Sequence, residues 1–294
     1  MQYSISLPNP DHRSAVEELS DWALAVEEAG FDACAVTDHL FPVLDETDTG
    51  HHSLDPFAAL TFIGAHTRRT KVHANLVVLP YRNPFLTTNS ALTVQALTGG
   101  RLILGLGSGY LEPEFRALGV DFSDRNRLFD EYLDAIRQAW AGEPYVGEGD
   151  GWQADGNTTW NSTAKMPLPR IWIGGNTDTA IRRATRADAW SPVLNPAVRS
   201  HQIHTRAIND MATLASRIEV LRAESERAGR SSLPEICVVR ARGALLHSTG
   251  EQLLDEIGEL DELGVTWITM GSAAGSLNEW RDPLQDLASL VGRG

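Results

Sequence analysis

The sequence predicts a single (β/α)8 barrel with insertion loops at its C-terminal mouth. Three observations predict it. Eight short apolar runs are each followed by a helical stretch, the pattern of a parallel sheet. The 294 residues suit eight such units, since a barrel of this kind takes about 250 residues. No shift of composition divides the chain, so residues 1–294 read as one domain.

Residues 3–7 read as strand one. Residues 13–28 form an amphipathic helix, with Val16, Leu19, Ala23, Val26 and Ala29 at helical spacing and Gly30 as its stop. Residues 31–37 are a compact strand that delivers Asp38 and His39 at its C-terminal end. An acidic loop fills 41–53. Asp55 caps a helix with Pro56 at its first position, running to about Arg68. Strand three covers 71–79 and stops at Pro80, and Asn83 caps a helix over 84–97. Strand four covers 101–108. A short helix at 112–118 precedes a longer one at 124–140.

Residues 142–169 have no clear period, and a loop of that length is usually functional or disordered. Strand five, 170–173, ends in Gly174-Gly175-Asn176. A helix over 179–187 and a strand over 189–193 follow. An irregular stretch carries His201 and His204, and helix then runs to Ala228. Strand seven at 235–243, a helix at 250–263, strand eight at 265–270 and a helix at 278–290 finish the chain.

Composition excludes several functions. A net charge of −14 opposes nonspecific binding to nucleic acid or to an anionic membrane surface. Cys34 and Cys237 are the only cysteines, and both sit in apolar runs, as reduced core residues do. No apolar run approaches the roughly 20 residues of a membrane span. The chain enters a strand at once, so it reads as lacking a signal peptide and as cytoplasmic.

Polar residues at the C-terminal ends of strands are the candidate site. Asp38-His39 can orient a substrate or move a proton. The same pair also fits a capping Asp beside a half-buried His. Residues 100–110 read G-R-L-I-L-G-L-G-S-G-Y, a strand that dissolves into Gly105, Gly107 and Gly109 around Ser108. Such glycines admit a flat or charged ligand close to the backbone, and a Ser hydroxyl with open N–H groups suits a phosphate. The spacing is G-x-G-x-G, not the dinucleotide fingerprint. Taken alone, the stretch favours a buried strand in tight backbone contact.

Gly174-Gly175-Asn176 opens a helix and fits either a phosphate site or an ordinary capped turn, and position favours the turn. Tyr110, Trp152 and Trp160 fit stacking on a flat ring or plain packing. His51-His52 beside Asp45, Glu46 and Asp48 lack helical metal-ligand spacing and read as a solvated loop, so no metal is expected.

Four blocks carry a resemblance to a known family: V-T-D-H-L-F (36–41), V-L-P-Y-R-N-P (78–84), T-G-G-R-L-I-L-G-L-G-S-G-Y-L-E-P-E-F-R-A-L-G-V (98–120) and R-x-x-x-F-D-E-Y-L (125–133). They resemble the luciferase-like monooxygenase superfamily, and most of all its branch that uses the deazaflavin coenzyme F420. I-W-I-G-G-N (171–176) and R-A-D-A-W (186–190) fit the same family. The resemblance covers the chain to about Pro192 and loosens beyond it.

The resemblance implies a (β/α)8 barrel with the flavin or deazaflavin ring at the mouth, hydride-transfer chemistry on a small organic substrate, and a homodimer. Asp38 and His39 fall where the family has an acidic-His pair at the ring. Leu76 and Val77 fall where many members carry a bulge with a non-proline cis peptide, expected here between those two residues. Ser108 and Gly109 match the cofactor loop, which Tyr110 adjoins, and Gly174, Gly175, Asn176 and Thr177 match the phosphate-side turn. Tyr110 departs from the pattern, because the family's sugar-phosphate dehydrogenases have a catalytic Glu there. Arg82 and Arg116 are candidates for a basic patch that holds the cofactor's anionic tail.

The expected activity is F420-dependent hydride transfer, with His39 moving a proton or anchoring the substrate's oxygen. Rival readings are an FMN-dependent monooxygenase served by a separate reductase, a flavin-binding barrel without turnover, and a metal-assisted hydrolase.

Overall fold

Each apolar run becomes a strand because its side chains are buried on both faces, as a parallel sheet under helices requires. A computed structural model describes residues 1–9, 15–41, 53–159, 166–195, 197–202, 204–240, 250–271 and 277–293. In chain order the first half holds β1 (Gln2–Ser6), α1 (Ala15–Glu28), β2 (Ala33–Val36), α2 (Pro56–His66), β3 (Lys71–Val78), α3 (Pro84–Leu97), β4 (Leu102–Gly107), α4 (Glu112–Ala117) and α5 (Arg125–Trp140). Then come β5 (Tyr145–Gly149), β6 (Trp152–Asn157), β7 (Arg170–Gly174), α6 (Asp178–Ala184), β8 (Ala189–Ser191), β9 (Val193–Leu194), α7 (Ala197–Gln202) and α8 (Met211–Arg227). The chain closes with β10 (Glu235–Arg240), α9 (Gly250–Glu262), β11 (Trp267–Gly271) and α10 (Leu277–Leu290).

The sheet runs β11-β1-β2-β3-β4-β7-β8-β10 and closes through β10–β11, giving the eight-stranded parallel barrel that the sequence predicts. Strand six is split. Pro192 has no N–H to give a ladder, so β8 ends before it and β9 resumes on the edge of β10.

Alternate residues of each strand face the barrel axis. Ala33, Ile103, Trp172, Ala189, Cys237 and Trp267 fill the interior as one buried cluster. Trp172 meets Trp267 edge to face at 5.1 Å, and His73 packs on Trp172 at 4.7 Å. The other set faces the helices, in a core that includes Ile5, Val72, Leu104, Ile173 and Ile268. Both cysteines are free and buried. Asp55 and Asn83 cap α2 and α3 as expected, accepting from the amides of Phe57 and Ala58 and of Phe85.

The stretch without a period is in part an antiparallel hairpin, β5–β6, turning at Asp150-Gly151. An Asp-Gly pair between two strands is a known hairpin signal. It went unread because few residues on either strand are buried. The hairpin docks on the barrel through Trp152, which meets Phe85 edge to face at 5.1 Å and donates its indole N–H to Glu131 at 3.1 Å. His51, His52, Asp45, Glu46, Asp48 and Trp160 lie outside the described residues, as does most of the acidic loop. Among the described residues no helix is long and apolar enough to cross a membrane.

Candidate active site at the barrel mouth

Strand β2 delivers Asp38 and His39 to the C-terminal end of the barrel, and the two side chains diverge as neighbours on an extended chain do. Asp38 turns toward β3. It is 2% exposed, accepts from the Val78 amide at 2.9 Å, and takes two hydrogen bonds from the Arg82 guanidinium at 2.5 and 2.9 Å. Arg82 also reaches Asp55 at 3.2 Å. This fork ties the end of β2 to the segment after β3 and to the start of α2. Arg82, a candidate for the cofactor's anionic tail, is thus already matched by two carboxylates, with its side chain 14% exposed. Arg116 pairs with Glu112 one turn away on the exposed face of α4.

His39 turns the other way, toward α4. Its Nδ1 lies 3.2 Å from Glu114 Oε2, and its Nε2 lies 3.4 Å from the Tyr110 hydroxyl. The two rings meet edge to face at 5.7 Å. Glu114 is fully buried. Its other oxygen accepts from the Phe41 amide at 3.0 Å, and Tyr81 donates its hydroxyl to Oε2 at 2.9 Å. Burial alone pushes the Glu114 carboxyl up, but the hydrogen bonds from His39, Phe41 and Tyr81 outweigh it, and the net shift is downward. Burial, and then the Glu114 charge, pushes the Tyr81 hydroxyl well above its usual range. Glu114 is thus an ionised acceptor and Tyr81 a standing donor.

The glycines of β4 answer to β3. Between Ala74↔Leu104 and Val77↔Leu106 the register shifts, so Asn75 and Leu76 together face Gly105 alone. This is the expected bulge. The cis peptide lies between Asn75 and Leu76, one bond earlier than the resemblance implied. The reason is the register itself: the extra residue is inserted before Val77, which is already back in the ladder. A Cβ on Gly105 would sit 2.2 Å from the Ala74 carbonyl oxygen. A Cβ on Gly107 or Gly174 would sit 2.4 or 2.2 Å from a Leu76 methyl. Gly109 has φ +77° and presses on Val78 and Phe115. The tight-contact reading of this stretch therefore accounts for the glycines without a phosphate.

Leu76 lies partly exposed on that glycine floor, whereas Val77 is fully buried on the helix side of the sheet. Ser108, Gly109 and Tyr110 are partly exposed beside the floor. Across the barrel, Gly174 and Gly175 are partly exposed and Thr177 caps α6 by accepting from Ala180. Asn176 is fully buried and spent: its amide group donates to the carbonyls of Val193 and Arg206, both at 2.8 Å, and accepts from the Val193 amide at 2.9 Å. It sews the end of β7 to the segment after β8. The mouth therefore brings together Leu76, Ser108, Gly109, Tyr110 and His39, while Asp38, Val77 and Asn176 hold the walls behind it.

Sequence reasoning missed the role of Glu114 and Tyr81. Glu114 lies inside the 98–120 block, but its partners His39 and Tyr81 are 75 and 33 positions away, beyond any local spacing signal. Among the described residues no group of three or more His, Cys, Asp or Glu could hold a metal ion.

The sequence profile of the luciferase-like monooxygenases matches residues 1–260. The chain belongs to that family. It is 31% identical over 173 residues to an F420-dependent glucose-6-phosphate dehydrogenase of Nakamurella multipartita, covering 58% of this chain and 49% of that one. It is 27% identical over 188 residues to an FMNH2-dependent dimethylsulfone monooxygenase of Pseudomonas putida, covering 60% of this chain and 50% of that one. Among solved structures, an F420-dependent secondary alcohol dehydrogenase in complex with an F420-acetone adduct superimposes with a TM-score of 0.78, at 16% identity, over 99% of both chains. That last likeness is one of fold. Relatives of this luciferase-like protein thus include users of either cofactor.

Proposed function

We propose that this luciferase-like protein is a coenzyme F420-dependent oxidoreductase that moves a hydride between the deazaflavin and a small organic substrate. The observation that carries the reading is His39, held at the mouth between a buried carboxylate and a tyrosine hydroxyl. Hydride transfer to a carbonyl leaves charge on oxygen, and a positioned imidazole can quench it with a proton.

The mouth suits a flat ring. Leu76 stands partly exposed on a floor of glycines, an apolar ridge for a ring face. Ser108, Gly109 and Tyr110 would flank the ring, and the turn from Gly174 to Thr177 would lie toward its tail. When bound, the deazaflavin supplies two-electron hydride chemistry. The chain's own part is to orient the substrate, to exclude water and to hold the proton on His39.

The second reading is FMN with a separate reductase, and the FMNH2-dependent relative supports it. One anaerobic titration of the apoprotein separates the two. Coenzyme F420 is expected to bind more tightly than FMN, with affinity that weakens as salt screens its anionic tail. FMN binding ten times tighter than F420 would give the protein to the second reading.

A further inference from the structure

The base of the barrel holds an open cleft of about 420 Å³. Small-molecule sites occupy roughly 300–1,000 Å³. The last turn of α5, the start of β7, the corner between α6 and β8 and the segment before β10 surround it, and each brings one arginine: Arg137, Arg170, Arg186 and Arg230. We infer that this cleft is a second binding site, separate from the mouth, that takes a small phosphate monoester. It lies at the N-terminal end of β7, whereas Gly174 and the mouth lie at the C-terminal end. The inference does not rest on the oxidoreductase reading, and no bond forms or breaks at the site.

The charge balance carries it. Arg170 pairs with Glu235 at 3.0 Å, and Arg186 pairs with Asp134. Arg230 meets only backbone: its Nε donates to the Ser232 carbonyl at 3.1 Å, and its Nη1 to those of Thr185 and Ala187 at 2.9 and 3.0 Å. Among the described residues its Nη2 makes no hydrogen bond, and the Arg137 side chain makes neither a hydrogen bond nor an ion pair. Burial, and then the Arg186 charge, weigh against the Arg137 guanidinium and lower its pKa, and the Asp134 and Asp188 carboxylates offset only part of this. A guanidinium does not give up its proton in a protein, so the like charges stay. An anion in the cleft would relieve them. Fixed-fork guanidiniums are the side chains best matched to phosphate oxygens.

The rest of the lining selects the anion. Asp188 stands on the same wall, with one oxygen held by the Ile171 amide at 2.7 Å. Its charge works against any anion, and a ligand with one negative charge has little left to gain. A phosphate monoester brings nearly two charges at pH 7 and three acceptor oxygens. Trp140, Leu168 and Pro169 form an apolar side to the cleft, and Leu168 is 41% exposed there. That side suits an organic group on the phosphate, whose burial adds to the affinity.

Isothermal titration calorimetry of the full-length protein tests the site with three probes: phenyl phosphate, inorganic phosphate and benzoate. Phenyl phosphate is expected to bind saturably, and less tightly as salt is added. Inorganic phosphate, which lacks the ring, should bind more weakly. Benzoate, which keeps the ring but carries one charge, should bind at least about tenfold more weakly. Arg137→Gln should weaken phenyl phosphate about 10- to 100-fold, the loss of charge-assisted hydrogen bonds. Arg137→Lys, which keeps the charge but loses the fork, should fall between. Urea melts of both variants check that they fold, and the lysine variant serves alone if the glutamine one does not.

The inference is overturned if phenyl phosphate shows no saturable binding, or if its affinity is unchanged in the folded Arg137 variants, which would put the anion elsewhere. Benzoate or inorganic phosphate binding as tightly as phenyl phosphate would likewise overturn the choice of a phosphate monoester. FMN is itself a phosphate monoester, so repeating the cofactor titration in Arg137→Gln separates binding at the mouth from binding here. The two ideas then fail independently.

Discussion

The base and the mouth of the barrel both hold buried charge, and they use it differently. At the base, Arg101 makes five hydrogen bonds: to the carbonyls of Thr98, Thr70, Gly64 and Thr67, and to the Thr67 hydroxyl. Nearby, Glu27 accepts from three successive amides, those of Arg68, Arg69 and Thr70. Burial works against the Glu27 carboxylate, yet those amides hold its carboxyl below the usual value. Both charges are matched to backbone, which does not titrate. At the mouth, Glu114 is matched partly to the Tyr81 hydroxyl and partly to the His39 imidazole, a side chain able to take or give a proton. A charge satisfied by backbone fixes a loop. A charge satisfied by an imidazole poises a proton.

If that contrast is right, damage at the two ends separates cleanly. His39→Ala should cut turnover about 100- to 10,000-fold, a barrier change of about 3–5 kcal/mol, with a much smaller effect on cofactor affinity. Steady-state rates beside a urea melt test it, and a variant with near-native turnover would make His39 a structural residue.

Arg101→Ala should do the reverse. It strands several carbonyls in the α2–β3 and α3–β4 corners and should cost about 3 kcal/mol of stability by urea melt. The rate per folded molecule should hold. A loss of rate in the folded fraction would show that the base reaches the mouth.

His73 lies between the two ends and sharpens the contrast. It is fully buried, and burial lowers its imidazole from 6.5 to about 3. Between those values the unfolded chain takes a proton that the native state refuses. Native stability from this residue is therefore complete above pH 6.5 and is lost as pH falls toward 3. Going from pH 7 to pH 5 should cost about 2 kcal/mol on this account. The loss should be absent in His73→Gln, which keeps a partner for Ser4. Equal acid sensitivity in the two proteins would assign the loss elsewhere.

What could be read from the sequence follows the range of the forces involved. The eight units, the caps at Asp55 and Asn83 and the stops at Gly30 and Pro80 are local, set by period and by nearby backbone. The glycine block was visible too, but its reason was not, since the atoms those glycines avoid belong to β3 and above all to Leu76. Glu114 meets His39 across 75 positions and Tyr81 across 33, and no spacing rule spans such gaps. Asp38 and His39 share one strand end, and the partners that draw Asp38 into the wall, Val78 and Arg82, lie 40 and 44 positions away. The hairpin at 145–157 did have a signal, Asp150-Gly151, masked by strands that bury almost nothing.

The floor under Leu76 has a consequence for how the mouth can vary. A side chain at 107 or at 174 would claim the space that the two Leu76 methyls now fill. The three positions share one volume, so they are alternatives to each other more than neighbours. Gly105 differs, because a backbone oxygen stands in its way and cannot be trimmed by any substitution. Depth at this mouth is thus a joint property of positions 76, 107 and 174. A survey that changes one residue at a time would score alanine at 107 by how far Leu76 can move aside, while the same alanine beside a shorter residue at 76 fits without that shift. Reshaping this mouth is a matter of paired exchange, and the pairs are already named by the contacts.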